Sequence, residues 1–154
     1  MAVATAIAQC LAGDKEPGIA CSIGGKPLSF FVRAKAVFSK KDGLVIMGFT
    51  TNSANLGYFA VRVPHLKTGT FTGVETPSLQ LTYSLIYSSN SRDHYRARGE
   101  DAGSALKVTI DRIGEIGETI QGSFSGVLRN GSQSGLVVTN GFFSVTRERQ
   151  VKQP

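Results

Sequence analysis

Apolar and polar residues alternate with period two along most of this chain. Leu79, Leu81, Tyr83, Leu85 and Tyr87 alternate with Gln80, Thr82 and Ser84, and one apolar face at that period predicts a half-buried β-strand. Residues 105–147 read as three more strands joined by tight turns. In them Leu106, Val108 and Ile110 oppose Lys107, Thr109 and Asp111, and Ile120, Phe124 and Leu128 oppose Gln121, Ser123 and Ser125. Gly122 and Gly126 fall on the inward side, where a bend or a close backbone approach suits glycine. Asn140-Gly141 interrupts the last run and reads as either a bulge or a turn that splits it.

The same alternation extends upstream. Phe30, Val32, Ala34, Ala36 and Phe38 form one apolar face with Arg33 and Lys35 between them, which predicts a single continuous strand from residue 28 to residue 38. Asp42-Gly43 is a hairpin signal, as is Gly24-Gly25 after the short run 19–23. Residues 44–50 are mostly apolar, as in a central strand or one buried on both faces. Residues 56–63 end at Pro64, which cannot donate to a ladder. Residues 70–72 form a short extended piece, and residues 93–98 a strand that exposes His94, Arg96 and Arg98 and turns Tyr95 and Ala97 inward. The sum is about eight to ten strands, at the spacing of a sandwich or barrel. The expected fold is therefore all-β, a single antiparallel β-barrel or β-sandwich over residues 19–149. Residues 1–18 precede it as an apolar start and a linker, read as a remnant of an export signal or a short helix, and residues 150–154 follow as a tail.

Composition fits one domain. A chain of 154 residues can bury about two-thirds of its unfolded surface, enough for a core without metals or disulfides. Two cysteines, Cys10 and Cys21, are too few for a disulfide framework and form no C-x-x-C pair. Cys10 ends an Ala-rich apolar run, as a lipidated cysteine ends an export signal, although the run lacks a basic start and Gln9 stands where a small residue is usual. No apolar run approaches the ~18 residues of a membrane-spanning helix. The formal charge of +6 and pI near 9.6 favour acidic partners, while scattered Lys and Arg on alternating strands also suit a solvated outer face.

Candidate chemistry is sparse. Neither His65 nor His94 sits near a nucleophile-elbow motif. Asp93-His94 and Glu100-Asp101 are flanked by arginines that oppose cation binding. Glu115 and Glu118 flank a turn and read as a solvated hairpin tip, and no phosphate-binding glycine loop occurs. The expectation is a protein that is not an enzyme and has no cofactor and no metal. The segment Arg92, His94, Arg96 and Arg98 is the candidate site for an anion or partner. Nucleic acid is disfavoured there, because Tyr95 is the one nearby aromatic and points inward. Phe30, Phe38, Phe49, Phe59, Tyr83, Tyr87 and Phe124 would line an apolar cavity if the barrel held one ligand, or would simply form the core.

The motif Cys21-Ser22-Ile23-Gly24-Gly25-Lys26, the strand Gly43-Leu44-Val45-Ile46 and the turn Lys67-Thr68-Gly69-Thr70-Phe71 carry a resemblance. So do Gly122-Ser123-Phe124-Ser125-Gly126 and Thr139-Asn140-Gly141-Phe142-Phe143-Ser144-Val145. Over residues 19–147 the chain resembles a family of small exported, lipoprotein-like β-proteins of Bacteroidota whose function is not known. The resemblance implies an antiparallel β-barrel or sandwich that is exported, periplasmic or at the outer membrane or cell surface, with no assigned catalytic residues. The functional expectation is a non-enzymatic binding or structural protein with a protein partner or an anionic surface or glycan as partner. Its rivals are a lipocalin-like carrier of a small apolar ligand and a subunit of a fibre or larger assembly, joined through strand addition by residues 1–12.

Overall fold

The computed structural model describes residues 18–50, 57–85, 94–101, 103–130 and 135–149. These form eleven strands and no helix: β1 Gly18–Ile23, β2 Lys26–Phe30, β3 Val32–Ser39, β4 Gly43–Phe49, β5 Gly57–Val63, β6 Gly69–Thr72, β7 Gln80–Leu85, β8 His94–Arg98, β9 Lys107–Ile113, β10 Thr119–Leu128 and β11 Leu136–Glu148. They join in one curled sheet of order β6-β9-β10-β11-β3-β4-β5-β7-β8, with β1 and β2 branching from β11. The sheet is a half-barrel. Nine of its ten ladders are antiparallel, and β11 with β3 is the parallel exception. The all-β class holds, with a mixed sheet in place of the expected purely antiparallel one.

The parallel pair follows from one local feature. β1 runs antiparallel to β11 along residues 138–144, and its hairpin partner β2 therefore runs in the direction of β11. β3 continues that direction after only Phe31 and pairs beside β11 at residues 146–148, just past the end of β1. The step sideways is made where Arg33 adopts a φ of 53° and the β3·β4 register shifts between Val32 and Lys35. A left-handed residue beside a shifted register is a β-bulge, which bends a strand and re-aims its side chains. Residues 28–38 are consequently two strands rather than one. Phe30 and Ala36 are fully buried, whereas Val32 is 36% exposed.

Elsewhere the alternation reads through to the structure. β10 alternates half-buried and buried residues along its whole length, and β9 buries Val108 and Ile110 between exposed or half-buried neighbours. Asn140-Gly141 is a bulge. Asn140 has a φ of 53°, both flanking registers shift around it, and β11 continues unbroken to Glu148.

The interior is filled by aromatic rings that cross from one wall to the other. Phe143 stacks with Phe124 at 6.4 Å, Phe124 meets Phe59 at 5.2 Å, and Phe59 meets Phe30 at 5.3 Å. The first two are locked by glycines. In the β10·β11 register Gly122 faces Phe143 and Phe124 faces Gly141. A Cβ added at Gly122 would meet the Phe143 ring at 2.5 Å as well as the Thr109 carbonyl, and one at Gly141 would meet the Phe124 ring at 2.6 Å. Each ring thus lies over the glycine of the opposite strand, the arrangement known to rescue glycine in sheets.

Gly122→Ala is expected to destabilise the protein by about 1–3 kcal/mol through overpacking, and Phe124→Ala by about 3–5 kcal/mol through the cavity it leaves. Urea denaturation midpoints of the two variants check both. A Gly122→Ala midpoint equal to wild type would show that the ring does not need the glycine.

Candidate anion-binding face

From Lys35 onward in β3·β4, and throughout β4·β5, β5·β7 and β7·β8, the ladders keep a regular register, so side chains on the outer face fall into rows. One row runs Val37, Val45, Arg62, Gln80, Arg98. The next runs Lys35, Met47, Ala60, Thr82, Arg96, and the third runs Phe49, Tyr58, Ser84, His94. From β3 to β8 no carboxylate occupies any of the three, and Glu148 of β11 stands beside Val37 at the start of the first. Arg96 is joined to Arg129, just after β10, by a reciprocal pair of backbone hydrogen bonds, each amide donating to the other's carbonyl at 2.9 Å. The bridge connects β8 to the end of β10 and extends the middle row to a further arginine.

β7 contributes Gln80, Thr82 and Ser84 to this face, and Gln80 Nε2 donates to Thr82 Oγ1 at 3.0 Å. Two open grooves flank β8. One of about 300 Å³ is lined by Thr82, Ser84, His94, Tyr95, Arg96, Arg129 and Asn130. The other, of about 430 Å³, includes Lys40, Lys41, Arg62 and Arg98 against Asp42 and Glu100. Among the described residues one ion pair forms here, Arg98 with Glu100 at 3.8 Å, and both partners are exposed, so it adds little to stability. Arg62, Arg96 and Arg129 are exposed and present their charge to solvent.

The expected site residues fall as follows. His94, Arg96 and Arg98 lie on β8 with their side chains outward, as the alternation predicts, and Tyr95 and Ala97 face the core. Tyr95 stacks on Tyr83 at 6.2 Å. Arg92, Tyr87 and Cys10 lie outside the described residues. Phe30, Phe59 and Phe124 are buried, and Phe38 and Tyr83 pack against them half-buried. Phe49 is the exception among the proposed cavity residues. It lies on the outer face, where its ring meets Tyr58 at 5.2 Å, because Leu44 and Ile46 are the inward residues of β4. Arg62 and Arg129 were missed, although each stands in a period-two pattern: Arg62 alternates with Val61 and Val63, and Arg129 follows the inward Leu128.

Among the described residues two groups have shifted acidities. Burial pushes the Tyr58 phenol up, partly countered by the positive charge of Arg62, so the hydroxyl stays protonated beside the arginine. Burial pushes the Cys21 thiol from 9.0 up to about 12. That cysteine is free and buried in β1. Among the described residues no three His, Cys, Asp or Glu side chains gather to hold a metal ion, and no helix is long and apolar enough to cross a membrane.

The class these observations define is an all-β half-barrel with an aromatic interior and a basic, open outer face. Compared with known proteins, the chain matches no family model, no curated protein and no solved structure.

The Cys21 shift carries a pH dependence. The unfolded thiol ionises near 9 while the folded one stays protonated to about 12, so its stabilisation is complete below pH 9 and is lost as pH rises towards 12. The loss is about 1.4 kcal/mol per pH unit in that window. Denaturant titrations from pH 8 to pH 11 should show wild type losing stability more steeply than Cys21→Ala, and equal slopes would contradict the assignment.

Proposed function

We propose that the protein is a non-enzymatic binding protein that takes an anionic partner on the outer face of β5, β7 and β8. The observation that carries this reading is the convergence of Arg62, Arg96, Arg98 and Arg129 from three elements onto one face, with His94 in the adjacent row. Cations that outnumber the carboxylates beside them, Asp42 and Glu100, create a local positive potential that attracts an anion and speeds its approach. The rings occupying the interior favour this reading over a carrier of an apolar ligand. A setting outside the cytoplasm, exported or at the cell surface, rests on the family resemblance alone.

Elution from a sulfated-polysaccharide column tests the reading. Arg96→Gln/Arg129→Gln is expected to elute at clearly lower salt than Lys26→Gln/Arg112→Gln, which removes the same charge from exposed positions on β2 and β9. Equal elution of the two double variants would mean that net charge, and not this face, holds the anion.

A further inference from the structure

Taking the anion-binding face as read above, we propose that its ligand is single-stranded nucleic acid, with bases on Phe49 and Tyr58 and phosphates on Arg62, Arg96, Arg98 and Arg129. On β8 itself the one aromatic, Tyr95, faces inward. The fold supplies two outward aromatics, from strands that the apolar run 44–50 and the segment 56–63 did not mark as outward. Phe49 and Tyr58 are cross-strand partners in the β4·β5 ladder, with ring centroids 5.2 Å apart and planes tilted by 49°. Both are half-buried on the outer face.

The register places this pair in line with Ser84 and His94, one row from Arg96 and two from Arg62 and Arg98. Strands about 4.8 Å apart put Phe49 about 14 Å from His94, and same-face residues along β8 step by about 7 Å. Between Tyr58 and Arg62 on β5 lies Ala60, and between Ser84 and Gln80 on β7 lies Thr82, small side chains that separate the aromatic row from the Arg62 row. A basic track beside aromatic rings at the level of a sheet is how folds without sequence preference hold single strands, stacking bases on the rings and pairing phosphates with cations. A duplex hides its base faces from such a surface. A sulfated glycan uses the cations but lacks the planar π faces that two adjacent rings accept.

Fluorescence anisotropy with a labelled oligothymidylate of about 12 nucleotides tests the proposal, with the matched duplex and a sulfated polysaccharide measured alongside. Tyr58→Leu should weaken single-strand binding about 5- to 150-fold and leave polysaccharide binding unchanged, while Tyr58→Trp should retain it. Arg96→Gln/Arg129→Gln should reduce the slope of log affinity against log salt by about 1.4. Should Tyr58→Leu lose its native circular dichroism, Phe49→Leu supplies the same readout. The proposal is overturned if the single strand binds no more tightly than the duplex, or if removing either ring leaves its affinity unchanged. Continued loss of polysaccharide binding in the arginine double variant would then show that the anion-binding face stands without nucleic acid. No effect of that variant on any polyanion would overturn both.

Discussion

Two phenylalanine rings, each lying over the glycine of the opposite strand, are the contact on which the rest of the structure depends. A residue with a Cβ at Gly122 or Gly141 would force a ring or a strand outward, so the close β10·β11 pairing and the Phe124–Phe143 stack require one another. Phe124 in turn meets Phe59 on the opposite wall. The half-barrel is thus tied across its interior and not only along its strands. Each ring adds roughly 1.5–3 kcal/mol of burial, and offset aromatic pairs add about 0.5–1.5 kcal/mol each beyond their area. A chain with no tryptophan concentrates its cross-sheet cohesion in these few contacts.

The second constraint is that β11, the longest strand, is shared. One edge belongs to β10, while the other is divided between β1 and β3. Sharing requires β2 and β3 to run in one direction yet occupy different places in the sheet, which the bulge at Arg33 allows. From β3 the sheet curls through β4, β5 and β7 to β8, and the Arg96–Arg129 bridge returns it to the end of β10. The basic face therefore comes from segments far apart in sequence. Arg62 and Arg98 share a row through β7, and Arg129 joins them beside Arg96 because the curl brings β8 back towards β10.

The amino-acid sequence made the later strands legible because their polar residues alternate with apolar ones or glycine: β9 and β10 bury Val108, Ile110, Ile120, Phe124 and Leu128, and Leu79, just before β7, and Leu81 within it are buried. It also predicted the outward set of β8, since a small inward Ala97 separates Arg96 from Arg98. Residues 28–38 read wrongly as one strand. A bulge advances the pleat by one position, and an alternating run such as Phe30, Val32, Ala34 carries no mark of where the advance occurs. Phe49 was misplaced for a different reason. A run apolar at every position, as in β4, does not say which face is covered, and here only Leu44 and Ile46 meet the core. The candidate site was half legible for the same cause: alternation assigns a residue to a face, but it does not say which strands will be neighbours.

The electrostatics of that face distinguish it from an ordinary solvated surface. Like charges about 7 Å apart repel by about 0.6 kcal/mol in water, and the screening length near physiological salt, about 8 Å, does not remove that between neighbours. A surface under no further demand relieves such repulsion by interleaving acids, as Glu100 does for Arg98. The rows of β5, β7 and β8 instead place Gln80 between Arg62 and Arg98, Thr82 beside Arg96 and Ser84 beside His94. These neutral groups leave the positive potential intact. The fold bears a small standing repulsion, which counterions screen and a bound anion would offset.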